Sequence, residues 1–144
     1  MTVRPAVILA RLAHLGHALA QLQRLRDMPL SERADAINRF ALERALQISA
    51  EAIFDVGHHV LAGRGLPVPR TYREVIPALT RAGVWSVELA TRLEGLAGLR
   101  NILVHDYVEI DGAQLWDLLD HRLGDLVSAQ TALASIEELG EHGA

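Results

Sequence analysis

The sequence predicts an all-α fold, an antiparallel bundle of four to five helices, on three observations. Apolar residues recur every three or four positions along nearly the whole chain. Runs of alternating apolar and polar residues bounded by turn signals are missing. The breaks between periodic stretches are mostly short. With 144 residues, half of them hydrophobic, the chain has the size and composition to bury one core, and residues 1–144 read as a single domain.

The first helix is predicted over about residues 6 to 26, with Ile8, Leu12, Leu15, Leu19 and Leu22 on one stripe and His14 and His17 on the far side; Met28-Pro29 ends it. Ser31 is read as the N-cap of a long second helix reaching about Ala62, where Gly63 and Gly65 stop it. Ile37, Ala41, Ala45, Ile48 and Ala52 form one apolar face, and Leu42, Leu46, Ile53, Val56 and Val60 a neighbouring one. Phe40, Phe54 and Leu61 fall outside those faces, which gives this helix enough apolar circumference to pack a second subunit as well as its own core.

Gly63 to Arg70 reads as a loop, and Thr71 with Glu74 has the spacing of a capping box for a short helix through Arg81, kinked at Pro77 and ended by Gly83. Ser86 opens a fourth helix expected to run to about His105. Asp111 with Gln114 caps a last helix built on Leu115, Leu118, Leu119, Leu126, Ala129, Leu133 and Ile136, and the chain is expected to fray from Glu138 onward.

Fourteen basic and 18 acidic side chains leave a net charge of −4, which excludes a global cationic field, so any nucleic-acid site must be local. Every basic residue is Arg, and their scatter reads as coding bias rather than function. Cysteine is absent, which excludes disulfides, thiolate metal sites and a Cys nucleophile. Arg4 and Arg11 interrupt the apolar residues of the N-terminus, no signal-peptide pattern or membrane-length apolar run is present, and a cytoplasmic protein is expected.

Chemistry concentrates in Leu99-Arg100-Asn101-Ile102-Leu103-Val104-His105-Asp106-Tyr107. Arg100 projects from the same side as Leu93, Leu96 and Val104, so it needs an anionic partner or an open cleft. His105 lies about 140° further around an ideal helix, so the two side chains of one chain do not share a face unless the helix end distorts, and two copies meeting at an axis could bring them together. Asn101 stands one turn before His105 and can orient the imidazole. Two readings follow from the residues alone. In one, Arg100 and His105 serve an anionic substrate, His as proton carrier and Arg as phosphate ligand. In the other, His105 is favoured by the helix C-terminal dipole while Arg100 pairs with an acid from another helix.

Arg100-x4-His105-x-Tyr107, with Asn101 as the polar residue after the Arg, resembles the R-x4-H-x-Y signature of HEPN-domain toxins of the HepT type. The flanking segments Leu46-Gln47-Ile48-Ser49-Ala50-Glu51-Ala52 and Pro69-Arg70-Thr71-Tyr72-Arg73-Glu74 are also similar to that family, as is the entry through Gly98-Leu99. The resemblance implies a dimeric HEPN bundle whose two motifs face one cleft and act as a metal-independent endoribonuclease, the toxin of a type VII-like toxin-antitoxin pair. It implies attack of an RNA 2′-hydroxyl on the adjacent phosphate, with His105 as general base or acid, Arg100 on the phosphate and Asn101 assisting. It also implies an MNT-type nucleotidyltransferase antitoxin that transfers AMP to Tyr107, placing a bulky anion beside His105. The alternative within the same resemblance is a catalytically silent HEPN module that binds a partner nucleotidyltransferase.

The remaining candidates read as structural. His14 with His17, and Asp55 with His59, each offer two metal-ligand types without an evident third, so neither a metal nor a cofactor is assigned. Trp85, Trp116 and Tyr72 read as core or interface anchors rather than base-stacking platforms. Arg122, on the apolar stripe of the last helix, reads as a snorkelling side chain. The glycines around Arg64 lack Walker spacing and its Lys, so the chain is not itself expected to be the nucleotidyltransferase.

Overall fold

A computed structural model of the protein describes residues 4–105 and 111–143, the side chains of 141–143 excepted. Among the described residues every regular element is helical: α1 (Pro5–Asp27), α2 (Ala36–Gly63), α3 (Tyr72–Arg81), α4 (Val87–Arg92), α5 (Leu96–Val104) and α6 (Gly112–Ala134), with short 3-10 segments at Leu30–Ala34 and Glu137–Gly143.

α1 begins at Pro5, where the missing proline N–H costs no helical bond, and buries the expected stripe of Ile8, Leu12, Leu15, Leu19 and Leu22. Met28 turns extended before Pro29. The cap of α2 corrects the expectation at Ser31. Pro29 accepts from the Glu32 N–H at 3.0 Å, closing a 3-10 turn that carries Ser31 outside the helix. Asp35 takes the cap position instead, its carboxylate accepting from the Ile37 N–H at 2.8 Å.

α2 has 28 residues, hence about 42 Å of length, and it is the axle of the bundle, packing against α1, α3, α5 and α6. That centrality corrects a second expectation. Phe54 and Leu61, read as surface for another subunit, are 0% and 1% exposed because α3 and α5 cover the sides that α1 and α6 leave. Phe40 alone of the three remains outside, at 69% exposure, and Ile37 and Ala41 of the expected first face are exposed too, because the first turns of α2 extend beyond its neighbours.

α2 and α3 end alike. Leu66 N–H reaches Leu61 O at 2.9 Å over Gly65 with φ +71°, and Val84 N–H reaches Leu79 O at 3.0 Å over Gly83 with φ +77°. Each glycine occupies the left-handed region that a Cβ disfavours. Thr71 holds the N-cap position of α3 without a side-chain cap bond, so the expected capping box is not made. Pro77 sits inside α3.

The expected fourth helix is two helices. Ser86 caps α4, its Oγ accepting from the Leu89 N–H at 3.1 Å, but the chain turns over residues 93–95 before α5 begins. Gly95 contributes no side-chain packing to hold the helix together there, and the turn delivers both Leu93 and Leu96 into the core, at 3% and 7% exposure. Asp111 caps α6 as expected, accepting from the Ala113 N–H at 2.9 Å.

The C-terminal expectation is also corrected. Leu139 is fully buried, and Glu138 is clasped by Arg64, whose Nη2 donates to Oε1 at 2.8 Å and whose Nη1 donates to Ala82 O at 3.0 Å. A second clasp joins Arg33, after α1, to Asp120 of α6 through bonds of 2.8 and 2.7 Å, with the Arg33 guanidinium 4.8 Å from the Trp116 ring. No described helix is long and apolar enough to cross a membrane.

Candidate functional site

Arg100 turns inward from α5 onto α2 and α3. Its guanidinium carbon lies 4.4 Å from the Tyr72 ring centre, and the Tyr72 ring stacks on Phe54 at 4.8 Å with 26° between planes. Because Phe54 is fully buried, Tyr72 is a platform fixed from below. Arg100 Nε stands 3.4 Å from Glu51 Oε1, close enough for charge attraction but not aligned as a hydrogen bond. That nitrogen is sealed from solvent and has no hydrogen-bond partner among the described residues. Nη1 donates to Asn101 Oδ1 at 3.3 Å.

These residues open onto a polar cleft of about 320 Å³ between α1, α2, α3 and α5, into which Arg11, Glu51, Asp55, His58 and Arg100 project. Arg11 Nε pairs with Asp55 at 2.9 Å, so Asp55 is committed to an arginine rather than to His59. The His58 ring stacks beside Tyr72 at 6.2 Å. Both acids of the cleft thus have an arginine against them.

His105 is elsewhere. It is the exposed C-cap residue of α5, extended at φ −92° and ψ 92°, and its N–H donates to Asn101 O at 3.3 Å. It is not among the residues lining the cleft around Arg100. Arg100 thus lines the cleft and His105 does not, and because His105 is already extended the ideal helical angle does not govern its side chain. Asn101 touches both, through its side-chain oxygen to Arg100 and its backbone oxygen to His105. Tyr107 lies outside the described residues.

The other sequence candidates resolve into structure. Trp85 is buried and donates to Ile76 O at 3.2 Å; Trp116 is buried beneath Arg33. Arg122 is exposed and lies 3.4 Å from Asp125, which also takes Arg92 at 3.0 Å. Among the described residues no group of three His, Cys, Asp or Glu side chains is placed to hold a metal ion. Tyr72 is the aromatic whose role departs from the expectation of a plain anchor, since it carries the arginine. Glu51 was not singled out as a partner of Arg100, although both Glu51 and Tyr72 lie in the segments flanking the motif that carry the family resemblance.

Comparisons with known proteins identify the family and the fold. The family model described as ribonuclease HepT-like matches residues 15–132. A tRNA nuclease HepT of Aphanizomenon flos-aquae is 29% identical over 115 residues, covering 79% of this chain and 78% of the relative. An mRNA nuclease HepT of Shewanella oneidensis is 24% identical over 119 residues, covering 83% and 90%. Among solved structures, a tri-AMPylated Shewanella oneidensis HEPN toxin in complex with MNT antitoxin superposes with a TM-score of 0.80 at 22% identity, over 90% of this chain and 98% of that one. The cytosolic protein of unknown function YutE from Bacillus subtilis gives 0.83 at 24% identity, over 99% and 95%. At these identities the superpositions establish the fold.

Proposed function

The chain belongs to the ribonuclease HepT-like family, and from that premise we propose that it is an endoribonuclease toxin of a toxin-antitoxin pair, folded as one domain over residues 1–144 and acting as a homodimer in the cytoplasm. Its partner is an MNT-type nucleotidyltransferase antitoxin, in keeping with the complex formed by its structural neighbour. The observation that carries the reading is Arg100, held on the Tyr72 ring beside a polar cleft and within a complete Arg100, Asn101 and His105 set. The intact set favours the enzyme over a silent binding module.

In the proposed reaction the RNA 2′-oxygen attacks the neighbouring phosphorus, a proton leaves the 2′-hydroxyl, and a proton is delivered to the departing 5′-oxygen. His105 carries one of these protons, and its exposed place at the end of α5 leaves it open to substrate. Arg100 neutralises the charge that grows on the phosphoryl oxygens, its fork geometry suiting two oxygens at once. Asn101, in contact with both residues, sets their relative position. Since Arg100 lines the cleft and the exposed His105 does not, a second copy across a two-fold axis supplies the complementary half of each site. AMP transfer to Tyr107 silences the cleft by placing an anion two residues from His105.

The test is cleavage of RNA by the purified protein in the presence of EDTA. Arg100→Ala and His105→Ala each lower the rate by about 10²- to 10⁴-fold with the helical spectrum intact. A His105→Ala protein that cuts normally, or a wild-type protein that requires added divalent ions, overturns the assignment.

A further inference from the structure

A second groove, of about 410 Å³, runs between α1 and α2 and joins the Arg100 cleft, since His14, Arg44 and Ile48 line both. Its charge is one-sided. Arg24, Arg44, His14 and His17 project into it, all exposed, and no Asp or Glu lines it, on a chain whose net charge is −4. Arg44 makes no ion pair or hydrogen bond among the described residues, whereas Arg11 and Arg100 in the neighbouring cleft each face an acid. The floor between the basic side chains is small and apolar, with Ala18, Ala41 and Ala45.

We propose that this groove is the track for the single-stranded RNA flanking the cleaved bond, with Arg44 and Arg24 gripping phosphates. The proposal rests on the ribonuclease reading and extends it. Arg44 precedes Glu51, the residue facing Arg100, by seven positions of one helix, or about 10 Å along its axis, a distance that one or two nucleotides span. A strand whose reacting phosphate sits at Arg100 thus meets Arg44 next and Arg24 beyond it. Backbone phosphates take the arginines and imidazole N–H groups at the rim, and the apolar faces of ribose and base cover the alanine floor. Contacts of this kind select for polyanion and leave base sequence unread.

The probe is a fluorescently labelled, single-stranded 2′-O-methyl oligonucleotide, which lacks the attacking hydroxyl and stays intact while bound. Its affinity is measured by anisotropy over a salt series for the wild type and the double variant Arg24→Ala, Arg44→Ala, with cleavage of the matching all-ribose strand followed in parallel. Loss of two phosphate contacts weakens binding about tenfold and lowers the slope of log affinity against log salt by about 1.4. An unchanged affinity and slope in the double variant overturns the track, as does a variant that keeps its RNA affinity and loses its grip on the antitoxin. A wild type that binds the probe by these arginines without cutting the ribose strand overturns the ribonuclease reading and leaves the track standing.

Discussion

The guanidinium of Arg100 rests on the ring of Tyr72, 4.4 Å from its centre, and both are carried by a Phe54 that solvent does not reach. The ring supports the guanidinium from its face, while Glu51 stands 3.4 Å from Nε on one edge, so an incoming anion meets the Nη edge.

Removing that ring therefore weakens catalysis without touching the motif. Tyr72→Ala forfeits about 0.5 to 2 kcal/mol of cation–π attraction, which corresponds to about a 2- to 30-fold fall in kcat/KM for RNA. Tyr72→Phe keeps the face and cuts RNA at close to the wild-type rate. Steady-state cleavage by the two variants, with melting temperatures to verify folding, decides whether the ring or the hydroxyl matters.

Control through Tyr107 is separable from cutting. Tyr107→Phe keeps the ring but has no hydroxyl to accept AMP, so this variant cleaves RNA yet escapes silencing by ATP and the partner nucleotidyltransferase. Intact-mass measurement after that incubation reads the outcome directly: an AMP increment in the wild type and none in the variant. An increment retained in Tyr107→Phe places the modification elsewhere.

Acid loosens the two long-range clasps. Hydrogen bonds from Arg33 hold the Asp120 carboxyl below its ordinary 3.8, and those from Arg64 hold Glu138 below its ordinary 4.5. Because both folded-state values are depressed, the stabilisation is complete above those ordinary values and is lost as pH falls through the lower, folded-state ones. Melting temperature measured against pH declines below about 4.5 in the wild type, and more shallowly in Asp120→Asn and Glu138→Gln. Parallel curves for all three proteins show that neither clasp contributes.

The proposed homodimer is expected to bury Phe40, an aromatic ring that the single chain leaves exposed. At 69% exposure this ring costs the isolated chain little when replaced, typically within about 0.5 kcal/mol for such a position. Phe40→Glu shifts a dimer toward monomer in light scattering and lowers cleavage in proportion, while the melting temperature at high dilution is unchanged. A Phe40→Glu protein that remains fully dimeric moves the interface to another face.

The legible and illegible parts of the molecule divide along physical lines. α1 and most of α2 were readable because long amphipathic periods overdetermine a helix. Phe54 and Leu61 were misread because counting 100° per residue assumes one packed face, whereas α2 has neighbours on several sides and its off-stripe residues are core. Ser31 and Asp35 are both good caps, and the Pro29 turn that decides between them is a backbone bond invisible to residue type. The break before α5 hid because Leu93 and Leu96, three apart, satisfy a continuing helix and a turn equally well. At the site, the need of Arg100 for an anion or a cleft was readable from its place among leucines. That Glu51 and Tyr72 meet that need was not, since spacing along one helix says nothing of which neighbour faces it.

The turn at residues 93–95 makes α5 a separately mounted piece. α4 docks on α3 and α6, while α5 docks on α2 and α3, so the aim of Arg100 is inherited from the central axle and from its aromatic platform. Load passing from α4 along the chain meets a joint before it reaches the motif, leaving α3, which both helices touch, as its other route; load applied to α2 has no joint to cross. α5 thus takes its aim from α2 more than from α4, with α2 as the gunsight.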